Sequence, residues 1–331
     1  MRTHRPDRSA LAAVVALVLV VPAAGHAAQR EHAATETFAA PDGTRVVIDA
    51  ATVDVQIRTA DVDRVAVATE LRIAGVGEDR AASWIASHTP TTEVADGRIT
   101  VTVSPGRSGF LGLGTLTARS RLGFLLPHHV VPDITTTGGS VVIRGDLPDA
   151  RPLYLRTATG DMELVGAAAS VDLRSASGDA RLELIRPLER FFARTSSGNV
   201  TLTGGAREVH VDTASGSVWM DNLSGSTEVV TSTGRITLAW DRLEPHHRVV
   251  VRSDSSRIRL TLPESAAPRG SLRTIGGTVR SDFPGVVNEA GDTVTLSGEG
   301  PELLVESASG DIVLAAGTWW GGDTTAEPPL P

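Results

Sequence analysis

The chain has 331 residues, with 33 Gly, aromatics at only 4% and a formal net charge of −8. It contains no cysteine and no lysine, so disulfides, thiolate nucleophiles, cysteine metal sites, a lipid-modified N-terminal cysteine and Schiff-base or phosphate-loop lysine chemistry are all excluded. An acidic chain of this kind is also a poor partner for nucleic acid or anionic lipid surfaces.

The N-terminus has the layout of a secretory signal. Arg2, Arg5 and Arg8 precede the apolar run "ALAAVVALVLVVPAA", which is short for a membrane span, and "GHA" supplies small residues at a cleavage point after Ala27. Residues 1–27 carry net +2, which leaves −10 for an exported chain with no stable membrane span. Residues 28–43 read as a flexible mature N-terminus, and 44–318 as one repeat domain. At its start, "VDVQI" and "GRITVTV" alternate, with Gly97 placed at a corner ahead of Ile99 and Val101. Between them, 78–88 reads as a short helix that caps the stack: Glu78 and Asp79 suit its first turn, Trp84 and Ile85 could dock it, and Pro90 ends it. A Gly-rich loop follows over 105–118, and a Pro- and Thr-rich disordered tail is expected over 319–331.

Between these lies a repeat. Aligned on a turn residue, it runs Gly139, Gly160, Gly178, Gly198, Gly216, Gly234, Ser256, Gly277 and Gly310, at spacings of 21, 18, 20, 18, 18, 22, 21 and 33. The last gap has room for a degenerate repeat or a long loop. Five positions before the corner every residue is apolar, from Ile134 to Val305, and three before it every residue is Thr or Ser, from Thr136 to Ser307. Two and four after it the residues are apolar again, Ser281 being the misfit. Alternation on each side makes two strands. The inward positions on the two sides are an odd number apart, so a corner must separate them, and glycine supplies the positive φ such a corner often needs. No single repeat can bury its own apolar face, but stacking can, at about 4.8 Å per layer. The expected fold is all-β: a flattened, single-stranded β-solenoid with two short strands per 18–22-residue coil and one short helix. The competitor is an antiparallel β-meander with the glycines at hairpin turns.

The repeat phrase carries no fixed acid or nucleophile, so Gly139, Gly160, Gly178, Gly198, Gly216, Gly234, Gly277 and Gly310 are structural turns. No catalytic, cofactor or metal residues are assigned. Asp161 and Asp179 are the nearest thing to the carboxylate pair of a polysaccharide-cutting β-helix, though each also suits capping of its turn. The pairs His128–His129 and His246–His247 lie about five coils apart, too far to share a metal. The remaining candidate is an outward strip. Arg156, Arg174 and Arg194 fall on consecutive coils, with Tyr154 and Phe192 two columns away. Either neighbouring acids such as Asp161, Asp172 and Asp179 neutralise it, or it takes an anionic or sugar ligand.

The phrases "SASGDARLEL", "TSSGNVTL" and "LLVESASGDIVL", and the entry "LLPHHVVPDITTTGGSVVI", resemble the bacterial putative-adhesin family of β-strand-repeat proteins of unknown function. The resemblance covers about 44–316. It implies the stacked architecture and brings no catalytic residues; the loop at 106–114 and Ser256 depart from its pattern. The expected function is that of an exported, non-catalytic binding or scaffold protein, periplasmic or on the cell surface, with an unknown protein or glycan ligand. The alternatives are a carbohydrate-active β-helix enzyme and a periplasmic sensory or regulatory scaffold.

Overall fold

The computed structural model describes residues 29–104, 117–148 and 151–317. The expected signal segment, most of the Gly-rich loop and the tail with Trp319 and Trp320 lie outside them.

The chain folds as a parallel β-solenoid. Each aligned coil contributes one strand before its corner and one after it, and like strands of successive coils pair in parallel. Leu155 sits between Ile134 and Leu173, and Met162 sits between Val141 and Ala180. The meander is thereby excluded. The strands Thr227–Trp240 and Arg248–Leu262 run through their corners unbroken and join both faces into one hydrogen-bonded sheet.

The columns explain the packing. The apolar positions five before, two after and four after the corner are buried in every aligned coil, Ser281 excepted. The Thr/Ser column is buried too, from Thr136 to Ser307. These hydroxyls need partners, and most find them in their own corner. Thr136 Oγ1 donates to the Gly139 carbonyl at 2.8 Å, Thr231 to Thr233 at 2.9 Å and Ser307 to Ser309 at 3.0 Å. Ser175 and Thr213 have no hydrogen-bond partner among the described residues. This predicts a split within one column. Thr213→Val removes an orphaned hydroxyl and should be neutral or stabilising, whereas Thr231→Val should cost about 1 kcal/mol. Urea midpoints of the two variants check this.

The corner glycine is required by close approach more than by φ. Gly198 has φ of +133°, but Gly160 does not lie in the positive region. A Cβ on either would fall 2.2 Å and 2.0 Å from the carbonyl oxygen of the glycine one coil back, Gly178 and Gly139 respectively. Positive φ holds at Gly178, Gly198, Gly216, Gly234 and Gly310, as expected of a corner that often needs it, while the close approach is common to all eight corner glycines.

Both ends differ from simple stacking in chain order. At the C-terminal end the Ser256 coil pairs with Glu302–Ser309 and Ile312–Ala316, and these pair in turn with Arg269–Thr274 and Val279–Ser281. The last coil in sequence is thus interposed between the Ser256 and Gly277 coils. The 33-residue gap holds no further coil. It contains the strand Thr293–Ser297, which adds antiparallel to the outermost coil, and Gly285–Val287, which pairs antiparallel with that strand. The N-terminal end uses the same device. The first coil, Arg45–Asp49 with Asp54–Ala60, lies between the pair Arg98–Thr102 and Thr117–Pro127 on one side and the Gly139 coil on the other.

Three expectations for the N-terminal region are corrected. Residues 28–43 are not a flexible leader, because Arg30–Ala39 is a ten-residue strand antiparallel to Arg64–Ala74. Gly97 is not a coil corner; Asp96 and Gly97, both at positive φ, turn a hairpin between Thr91–Ala95 and Arg98–Thr102. The helix Glu78–His88 forms where expected but packs on Arg64–Ala74 and Arg30–Ala39, burying only Ala81, while the antiparallel strands continue the stack.

Candidate ligand-binding face

The strands before the corner present an outward face whose columns repeat once per coil. Arg156, Arg174 and Arg194 stand in register on consecutive coils and are exposed, as the spacing requires. Beyond Arg194 the column continues with Asp212, Val230 and Arg252, and the parallel column reads Tyr154, Asp172, Phe192, His210 and Glu228.

Opposite charges answer most of the strip. Arg174 reaches Asp172 at 3.1 Å, and Arg194 reaches Asp212 at 3.0 Å. Further along, His210 lies 3.3 Å from Glu228, and Arg252 lies 3.4 Å from Glu306. Among the described residues no carboxylate lies within ion-pair distance of Arg156; its guanidinium sits over the Tyr154 ring, 5.5 Å from the centroid. Phe192 is held between neighbours: Arg174 lies 5.6 Å from its centroid and the His210 ring stacks on it at 5.2 Å. Both faces of Phe192 are therefore occupied, and a ligand would meet its edge. Tyr154 and Arg156 form the open end of the row.

Two shallow cavities lie further along this face and share Arg252. One, of about 440 Å³, is lined by Val230, Ser232, Arg273, Ile275 and Glu306 among others; the second, of about 320 Å³, includes Glu208, His210, Glu228 and Arg248. The sequence held a signal for this continuation in its charged outward columns, but Asp212 and Val230 interrupt the run of arginines that drew attention.

The carboxylates of the corner have structural work. After Gly160, Gly178 and Gly198 the next residue accepts from the backbone N–H of its counterpart one coil on. Asp161 Oδ1 accepts from Asp179 N at 2.9 Å, Asp179 Oδ1 from Asn199 N at 2.7 Å, and Asn199 Oδ1 from Ser217 N at 2.9 Å. Asn serves as well as Asp because only an acceptor is needed. The histidine pairs remain apart. His129 bonds the Ala40 carbonyl at 2.8 Å, while His247 Nδ1 accepts from Glu244 N at 3.0 Å. Burial, and then His246 beside it, push His247 below its usual range, consistent with a neutral ring accepting that bond. Among the described residues no group of His, Asp or Glu is placed to hold a metal, and no helix is long and apolar enough to cross a membrane.

Corners closed by inward hydroxyls, a glycine at each tight approach and in-register outward columns define a parallel β-solenoid with interposed end coils. The chain belongs to the Toastrack DUF4097 family, whose model matches residues 44–315. No curated protein matches it. Among solved structures it is similar to a "putative adhesin" from Bacteroides fragilis, at 12% identity over 86% of this chain and 96% of that one, with a TM-score of 0.39. It is also similar to a "putative lipid binding protein" from Parabacteroides distasonis, at 11% identity over 86% and 96%, TM-score 0.42. A third is a "putative cell adhesion protein" from Clostridium sporogenes, at 11% identity over 86% and 99%, TM-score 0.27.

Proposed function

We propose that this is an exported, non-catalytic binding scaffold of the adhesin type, which takes an anionic or sugar-containing ligand along the outward face bearing Tyr154, Arg156, Arg174, Phe192 and Arg194. The observation that carries the reading is the register of the three arginines, with no carboxylate within ion-pair distance of Arg156 among the described residues and its guanidinium set over an aromatic ring. A guanidinium over an aromatic ring presents remaining N–H donors to a planar anion while the ring holds its position. The signal-like start, "ALAAVVALVLVVPAA" after three arginines, supports export. The ligand is a glycan or an acidic protein segment, met in the periplasm or at the cell surface.

The competing carbohydrate-active enzyme would use Asp161 and Asp179, and both are already engaged by backbone N–H groups one coil on. A glycan array probed with the full chain tests the proposal. Signal on acidic glycans that disappears in the Arg156→Ala/Arg174→Ala/Arg194→Ala variant, with an unchanged unfolding midpoint, is the expected result. Binding that survives the triple substitution would sink the strip. Turnover of an acidic polysaccharide that disappears in Asp179→Ala, yet not in Arg156→Ala, would favour the enzyme.

A further inference from the structure

The strands after the corner carry a second basic cluster, on a different face from the arginine strip. In three successive coils two outward columns form a grid. Its rows are Ser217 with Trp219, Arg235 with Thr237, and Arg257 with Arg259. Coils are about 4.8 Å apart and the two columns about 6.6 Å. Arg235 and Arg257 are exposed, Trp219 and Arg259 are half-buried, and Thr237 is buried between the latter two.

The charges here are unanswered. Arg235 stands directly opposite Arg257, and like charges so placed repel. In the strip, Asp172 and Asp212 answer Arg174 and Arg194. In the grid, among the described residues, no carboxylate lies within ion-pair distance of Arg235, Arg257 or Arg259. The neighbouring acids are turned elsewhere. Asp311 accepts the Thr278 N–H and hydroxyl at 3.0 Å and 2.9 Å, and Asp221 accepts the Gly204 N–H at 3.0 Å. Arg259 Nε is buried without a hydrogen-bond partner, the only charged group in that state among the described residues. Trp219 has no ring or cation stacked on it among the described residues, whereas Phe192 has both.

These arginines have no part in closing the corner. After Gly160, Gly178 and Gly198 the same position holds an acceptor for the N–H of the next coil, and a guanidinium cannot accept. The ladder of acceptors ends at Ser217, whose hydroxyl lies 3.4 Å from Arg235 N. Beyond it the strands Thr227–Trp240 and Arg248–Leu262 pair straight through the corner, Gly234 with Ser256 and Arg235 with Arg257. Backbone pairing holds these two coils together there, so the arginine side chains stand free on a rigid surface.

We propose that this grid is a second ligand site, independent of the strip, and that it takes a phosphorylated sugar. The sugar ring lies on the open face of the Trp219 indole, and the phosphate monoester is gripped by Arg235, Arg257 and Arg259. A phosphate monoester carries a charge of about −1.5 to −2 and three acceptor oxygens, which matches three unanswered guanidinium forks better than the single charge of a carboxylate. The apolar edge of the sugar ring covers the indole.

The full chain is titrated with glucose 6-phosphate, inorganic phosphate, glucuronate and glucose. The indole N–H resonance of Trp219, assigned by its loss in Trp219→Phe, reads this site alone, so the grid and the strip fail separately. Glucose 6-phosphate should move that resonance and bind about tenfold more tightly than inorganic phosphate or glucuronate, and glucose should not move it. Arg235→Gln/Arg257→Gln should weaken glucose 6-phosphate about tenfold with an unchanged unfolding midpoint. Trp219→Ala, followed by calorimetry, should bring glucose 6-phosphate down to the affinity of inorganic phosphate. Arg156→Ala/Arg174→Ala/Arg194→Ala should leave the Trp219 response as it was. The proposal is overturned if glucose 6-phosphate leaves Trp219 unmoved, if glucuronate or inorganic phosphate binds as tightly, or if the arginine pair can be replaced without loss. A response lost only in the strip variant overturns it too.

Discussion

Gly198→Ala is expected to lower stability by about 4 kcal/mol, combining positive-φ strain with overpacking against backbone that cannot move aside. The added methyl would stand 2.2 Å from the Gly178 carbonyl oxygen, and Gly216 rests in the same way on Gly198. Relief therefore means separating two coils whose strands pair on both sides of the corner. Gly43→Ala is the control. Gly43 has φ of +84° but nothing within 4 Å of where the methyl would stand, so only the left-handed cost of about 1 kcal/mol applies. Urea unfolding followed by circular dichroism measures both. Equal midpoint shifts would show that backbone conformation, not coil spacing, makes the corner glycine necessary. The loss should also be local, with faster amide exchange in the Gly178 to Gly216 coils than at the ends, because each coil depends mainly on its neighbours.

Trp240→Ala is expected to cost about 4 kcal/mol. Trp240 is 1% exposed, the largest fully buried side chain among the described residues, and its Nε1 donates to the Gly225 carbonyl at 3.1 Å. Removing the indole opens a cavity between coils that already approach closely, since a Cβ on Gly225 would lie 2.0 Å from the Arg207 carbonyl. Trp240→Phe retains most of the packing and loses the indole donor, so it should cost about 1–2 kcal/mol. The difference between the two midpoints separates cavity from hydrogen bond. A Trp240→Ala chain within about 1 kcal/mol of the parent would mean that the far corner repacks freely.

The body of the solenoid was legible because its constraint recurs. An apolar residue such as Leu173 or Leu202 is demanded at the same offset in each coil, and so is a hydroxyl such as Thr195, which makes nine copies of one weak signal into a strong one. The ends were not legible because the same columns tolerate more than one stacking order. Leu272 fits against Val251 or Val305, so the inward pattern is silent, and the outward Glu302 and Glu306, opposite arginines on both sides, favour the order found. Gly97 misled for a related reason. Ile99 and Val101 are buried at the offsets a coil would use, yet Asp96–Gly97 is a hairpin signal, and the turn chemistry prevailed. Strand Arg30–Ala39 was missed because only Phe38 in it is buried; its pairing with Arg64–Ala74, not its own pattern, makes it a strand. The arginine strip was readable as a column. Its neutralisation by Asp172 and Asp212, and the enclosure of the Phe192 ring by Arg174 and His210, depend on side-chain directions that spacing does not reveal.

A solenoid stacked in simple chain order would peel from its tips under tension, one coil at a time, because its outermost turn is bonded on a single side. Here a pull on the C-terminus bears on a turn bonded on both sides, to Arg248–Leu262 and to 269–281 at once. Two ladders must part together before any chain is released. A protein anchored at one end and loaded at the other would gain grip from that arrangement without a single covalent cross-link.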